Sequence, residues 1–328
     1  MTSLSFQHEA WNRLVALAGR APHALLLHGP QGVGKLQLAE RFAQLLLCEG
    51  EAAAPRTEPC GKCDGCRWFA AGHHPDVRFV EPEILARRVA GDEAEGGEKS
   101  KAKPSAEIKI DQVRDLHDFV NLASHRGGKR IVIVHPAEAM NVPSANALLK
   151  SLEEPPASAM FLLVSHRAAR LLPTVRSRCV PIPVPLPPAD AARAWLEKQG
   201  VKDAARRLAF AGGAPLRALE DANGGRGERA DQMLQALAAG GLERLQGARD
   251  REELELLAEV LQRCAYDRAL GALGLAAKYG SQTPAKRAGS PREWLAYLRK
   301  LGPDRALARH PVNPGLHARE MLRGFPRK

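Results

Sequence analysis

The chain has 328 residues, 45% of them hydrophobic and 26% charged, values ordinary for a soluble protein that buries a real core in two or three domains. No apolar stretch approaches the length of a membrane-spanning helix, and the first residues carry neither the basic nor the apolar part of a secretory signal, so a reducing cytoplasmic setting is expected. Net charge is +11, and residues 281–328 hold eleven Lys/Arg against three acidic residues. That bias fits either a polyanionic partner (DNA, RNA or an acidic protein) or a solubilising surface.

In chain order, the first β-like run is Ala24 to Leu27. It is followed by Gly29-Pro30-Gln31-Gly32-Val33-Gly34-Lys35-Leu36, and a helix with Leu38, Phe42, Leu45 and Leu46 at helical spacing begins at Lys35. Strand, Gly-rich loop and helix form the context of a phosphate-binding loop. Gly29, Gly32 and Gly34 let backbone N–H groups converge on an anion, and Lys35 neutralises its charge. A Gly-rich turn without ligand is the alternative. The eighth position departs from the pattern: Leu36 stands where a Ser or Thr hydroxyl would ligate Mg²⁺.

Next come Cys48, Cys60, Cys63 and Cys66, spaced Cys-x11-Cys-x2-Cys-x2-Cys. In a reducing compartment four thiolates suit a closed, tetrahedral, structural Zn²⁺ site; an iron–sulfur cluster also accepts this spacing, although the Cys-Pro of the bacterial ferredoxin run is absent. Cys179 and Cys264 stand alone and are expected to be buried hydrophobes.

A second β-like run, Val77 to Val80, precedes residues 86–109, too poor in apolar side chains to order themselves and read as a mobile surface insertion. The run Arg130 to Val134 ends in His135-Pro136, with Glu138 beyond, where a nucleotide hydrolase needs acidic residues to hold its metal. A helix carrying Ala145, Leu148, Leu149 and Leu152 must stop before Pro155-Pro156. The runs Met160 to Ser165 and Cys179 to Val184 complete five strands of continuous apolar character, the mark of a buried parallel sheet. Val180 to Pro188, rich in Pro, reads as an extended connector and a domain boundary. Helices come after it at Ala189 to Gln199, Lys202 to Ala211, Asp231 to Ala239, Arg251 to Leu270 and Pro291 to Leu301.

The runs Asn146-Ala-Leu-Leu-Lys-Ser-Leu-Glu-Glu-Pro-Pro156 and Val175-Arg-Ser-Arg178-Cys179, together with the degenerate loop and the four-cysteine knot, resemble the delta prime subunits of the bacterial DNA polymerase III clamp loader. The likeness is good over the first 185 residues, looser through Gly212 to Arg217 and faint beyond. It implies an α/β fold followed by all-α: an AAA+ P-loop parallel sheet with an inserted zinc knot over residues 1–167, a small helical lid over 168–220 and a C-terminal helical collar for oligomerisation over 221–328. It further implies a non-hydrolysing stator, not an enzyme by itself but a subunit of a DNA polymerase holoenzyme that helps place the sliding clamp on primed DNA. The implied partners are motor ATPase subunits and a clamp-opening subunit in a hetero-pentameric ring, at the nucleoid-associated replisome. Arg178 becomes an arginine finger acting in trans, Arg217 a sensor-like nucleotide contact, and the four cysteines the Zn²⁺ ligands. Leu36 and His135-Pro136 match the non-hydrolysing member, while the loop backbone and Lys35 leave ATP or ADP binding open. Two other readings stand beside it: an active AAA+ motor subunit, against which Leu36 and His135 speak, and a zinc-dependent nucleic-acid binder with Lys62, Arg67 and Trp68 as its contacts.

Overall fold

The computed structural model describes residues 4–20, 22–50, 56–85, 104–122, 124, 128–280, 289–308, 310 and 312–326. Most of the expected mobile insertion, residues 86–103, lies outside them. Two compact units are present, Met1–Leu186 and Pro187–Lys328.

The first unit contains strands β1 (Ala24–His28), β2 (Val77–Val80), β3 (Arg130–Val134), β4 (Ala159–Ser165) and β5 (Val180–Pro183), and helices α1 (His8–Ala18), α2 (Lys35–Leu46), α3 (Asp64–Ala70), α4 (Ile110–Asn121), α5 (Val142–Glu153) and α6 (Pro173–Arg176). All five expected strands lie in one sheet of order β2-β3-β4-β1-β5, with every pairing parallel. The inner strands β1, β3 and β4 read as nearly unbroken apolar runs because both their faces are covered, whereas the edge strands β2 and β5 expose Arg78 and Val180, Pro181 and Pro183. In β1, Leu25 and Leu27 face the core made with α1 and α2, whereas Ala24 and Leu26 face the one made with α4 and α5.

Pro181 and Pro183, which cannot donate to a ladder, are tolerated because β5 is an edge strand with a neighbour on one side. Since β5 is bonded to β1, the sheet-bearing unit extends past residue 167. β1 lies between β4 and β5, so the crevice outside its C-terminal end, where α/β sheets bind ligands, is lined by the segments that leave β1, β3 and β4.

The second unit is helical: α7 (Ala189–Lys198), α8 (Ala204–Phe210), α9 (Pro215–Asn223), α10 (Arg226–Ala238), α11 (Arg251–Ala272), α12 (Pro291–Leu307) and α13 (Pro314–Arg323). Its core gathers Leu257, Leu261, Trp294, Tyr297 and Met321, with Trp294 fully enclosed. Helix α12 continues past the expected end at Leu301 and through Pro303, because Leu301 and Ala308, two turns apart on one face, are both buried in this core. Among the described residues no helix is long and apolar enough to cross a membrane.

Candidate functional site

The Gly-rich loop joins β1 to α2 as its sequence requires. Gly34, at φ 85°, precedes the first residue of α2, and a Cβ there would collide with Leu4 Cδ1 and Gln7 Nε2. The loop is held from the N-terminal segment: Gln7 is buried, and its Nε2 donates to the carbonyls of Val33 at 2.7 Å and Gly34 at 2.8 Å. Gly29 closes the other end, its Cα so near β5 that a side chain would strike the Val184 carbonyl. Lys35 is buried, and its ammonium donates to the carbonyl of Gly29 at 2.8 Å and to that of Pro30. The lysine is thus satisfied by its own loop. Leu36 packs toward the α1/α2 core and presents no oxygen to the crevice.

Charged and titratable groups crowd the strand ends beside Lys35. Glu138, on the short helical turn after β3, accepts the His166 backbone N–H at 2.9 Å. His135 lies edge-on to the His166 ring, with centroids 5.3 Å apart, and its Nδ1 is 3.5 Å from Glu81 Oε1. Burial pulls the Lys35 ammonium down to about 8, opposed by the Glu138 carboxylate. Burial, then the Lys35 charge, pull the His166 imidazole down to about 4. A carboxylate therefore does reach the loop, from a position that the sequence marks only as lying beyond the strand. It is engaged by a backbone donor, and His135 takes the strand-end place.

The cysteines converge. Cys48 leaves α2, Cys60 and Cys63 lie in the following loop, and Cys66 is on the first turn of α3, with all four sulfurs within 4.8 Å of one another. The Cys60–Cys66 and Cys48–Cys63 sulfur separations are both 3.9 Å, far too long for disulfides and close to the ~3.8 Å edge of a tetrahedron with metal–sulfur bonds of about 2.3 Å. Backbone N–H groups point at the sulfurs: Lys62 and Cys63 donate to Cys60, Cys60 to Cys48, and Cys66 and Glu49 to Cys63, at 3.2–3.4 Å. Such donors favour thiolates, and those from Lys62 and Cys63 bring Cys60 down to about 6. The donor set fits a soft, tetrahedral divalent ion with no position left open for substrate. The knot is fastened to α2 by Gln44, whose amide donates to the Cys66 carbonyl, and by Arg41, which pairs with Glu58 and stacks over Trp11.

Arg178 lies at the surface just before β5. Its Nη1 donates to the Thr174 carbonyl at 3.0 Å and to Ser177 Oγ at 3.3 Å, and its Nη2 is 2.7 Å from Glu153 Oε1 at the end of α5. The flanking Val175 and Cys179 are buried, and burial pushes the Cys179 thiol up to about 12, so this cysteine is an inert anchor. Arg217 is in the second unit, where it pairs with the buried Glu259 of α11 alongside Arg226 and Arg263. The structure thus groups Gly29, Gly32, Gly34 and Lys35 at one loop and the four cysteines at one centre. Arg178 and Arg217 each stand with different partners. Gln7 and Glu259 are contacts that no motif announces, and Glu153, though part of the Asn146–Pro156 run, is not marked there as a partner of Arg178.

A family model described as DNA polymerase III, delta subunit, matches residues 6–187, which is nearly the whole first unit. A curated protein of Pseudomonas aeruginosa named DNA polymerase III subunit delta' is 46% identical over 217 residues, 65% of this chain and 59% of that protein. The Escherichia coli protein of the same name is 33% identical over 224 residues, 67% of this chain and 60% of that one. The matches thus span about three fifths of these relatives' length. A solved DNA polymerase III gamma subunit-related protein from Thermotoga maritima is similar over 96% of this chain and 97% of that one, with a TM-score of 0.50 and 19% identity. That likeness is one of fold, a parallel sheet followed by helices.

Proposed function

The chain belongs to the family described as DNA polymerase III, delta subunit, and from that premise we propose that it is a clamp loader subunit that does not itself hydrolyse ATP and assists a neighbouring subunit that does. The observation that carries this reading is the pairing of a phosphate loop that lacks the metal-binding hydroxyl and the strand-end carboxylate with a half-buried arginine on a turn at the surface. Leu36 offers no oxygen to Mg²⁺, His135 occupies the strand end, and Lys35 is bonded to its own loop. Phosphoryl transfer depends on positioned cations, so a chain without these ligands is left with a supporting role. Arg178, with a planar fork of donors at the surface, supplies positive charge where phosphoryl transfer develops negative charge next door.

In this reading the four cysteines hold one structural Zn²⁺ that secures the first unit. The partners are motor ATPase subunits and a clamp-opening subunit in a five-membered ring acting on the sliding clamp and primed DNA, at the nucleoid. The helical part of the chain divides into a lid ending near residue 220 and an oligomerising collar beyond it.

The test is reconstitution with the motor subunits. The purified chain alone should show no Mg²⁺-dependent ATPase. In the complex, Arg178→Ala should lower DNA-stimulated ATPase and clamp loading while leaving assembly intact, and Arg178→Lys should rescue poorly because a point charge does not reproduce the fork. The loss should be smaller than the roughly 10³-fold or more that one finger supplies in GTPases, because the other sites of a ring keep their own. Wild-type loading by the alanine variant would reject the reading.

A further inference from the structure

Glu153 and Glu154 close the C-terminal end of α5, where the helix dipole disfavours negative charge, and Pro155 forbids another turn. Glu153 nevertheless has a counterion, the Arg178 guanidinium at 2.7 Å. The backbone bearing Arg178 is fixed. Val175 and Cys179 on either side are buried in the sheet core, and the Arg178 N–H donates to the Val175 carbonyl at 3.2 Å. Any rearrangement is therefore confined to the side chain. Its donors are divided: Nη1 bonds back to its own turn through Thr174 and Ser177, while Nη2 is turned to Glu153.

We propose, resting on the trans-arginine reading above, that Glu153 is a positioning residue that parks the Arg178 guanidinium against α5 and yields it to a phosphate oxygen presented by a neighbouring molecule. The pair suits this role because it is weak. The side chains are 34% and 49% exposed, and such surface ion pairs contribute little. A phosphate carries more charge than a carboxylate and accepts the guanidinium fork in bidentate fashion, so it displaces Glu153, whereas water does not. Parking also keeps a long cationic side chain ordered while no anion is present. Glu153 accordingly acts through Arg178 and touches no substrate.

The variant that separates parking from folding is Glu153→Gln, which keeps an oxygen acceptor at the same reach and removes the competing charge. In the isolated full-length chain, phenylglyoxal modification of Arg178, followed by mass spectrometry, should be about two- to fivefold faster in Glu153→Gln than in wild type, the ratio that release of an exposed ion pair allows. In the reconstituted complex the same variant should raise DNA-stimulated ATPase by no more than that factor, and it should have no effect in an Arg178→Ala background, a coupling a merely structural role would not produce. Equal labelling rates overturn the proposal. Faster labelling with ATPase unmoved by Glu153→Gln, while Arg178→Ala still lowers it, overturns it as well. ATPase indifferent to Arg178→Ala removes the trans-arginine reading, and the proposal with it, a result distinct from the other two.

Discussion

Glu259 is the group whose removal should disturb the second unit most. Its side chain is 4% exposed and lies among three guanidiniums from three helices: Arg217 of α9, Arg226 of α10 and Arg263 of α11. Burial alone would raise the Glu259 carboxyl, but the three arginines outweigh it and hold it below the usual carboxylate range. Burial conversely pulls Arg263 down to about 10, with Glu259 opposing. Glu259→Gln leaves those cations without their shared counterion. Removing one partner of a buried pair costs about 3–5 kcal/mol. The lower end, ~3 kcal/mol, applies because Arg217 and Arg226 are about a quarter exposed and Asp221 remains 3.2 Å from Arg226. For a unit of this size that loss lowers the midpoint by roughly 10 °C. Trp294, enclosed in the core of the same unit, reports the transition by fluorescence in urea. The sign with pH is fixed. A carboxyl whose folded pKa is depressed stabilises above its unfolded value and loses that contribution as pH falls through the folded one, so the gap between wild type and Glu259→Gln should be full at neutral pH and close only below about pH 4. A loss under about 1 kcal/mol at neutral pH, or a gap independent of pH, would refute the electrostatic account.

Three further outcomes are expected. Chain purified without chelator should carry one equivalent of zinc, Cys66→Ser should lose it together with part of the first unit's thermal stability, and iron or less than about half an equivalent of zinc would dismiss the assignment. Leu36→Ser should not confer Mg²⁺-dependent ATPase, because the His135 strand end still lacks a ligand; turnover in that variant that vanishes on Lys35→Ala would argue for the motor-subunit reading instead. Gly34→Ala should destabilise the first unit by about 1–3 kcal/mol in denaturant titration, since it adds a strained left-handed conformation to a collision with Leu4 and Gln7; an unchanged midpoint would mean that the N-terminal segment does not seat on the loop.

The parts legible in the sequence are those whose physics is local. The inner strands β1, β3 and β4 are short, mainly apolar runs because both their faces are covered, and the phosphate loop and the α5 stop at Pro155 are written in consecutive residues. The cysteine centre is nearly local, its ligands lying within one loop of each other. Helices α9 and α13 carry local signals too, each opening on a Pro and each amphipathic, but at nine and ten residues they are too short to hold without tertiary support: α9 is tied down by Arg217 reaching Glu259 forty-two positions away, and α13 buries Ala318, Met321 and Leu322 in the core of the second unit. The same rule governs the site. Leu36 and Arg178 can be singled out by position in a motif, but what each faces cannot. Gln7 on the loop, Glu138 beside Lys35 and Glu153 beside Arg178 come from 25 or more residues away, and spacing alone marks none of them as the partner of the residue it meets. A degenerate nucleotide site is therefore half visible in its chain. The missing hydroxyl can be read directly, whereas the groups that now satisfy the loop, and that decide whether it is closed to phosphate, are set by the packing of the sheet's C-terminal edge.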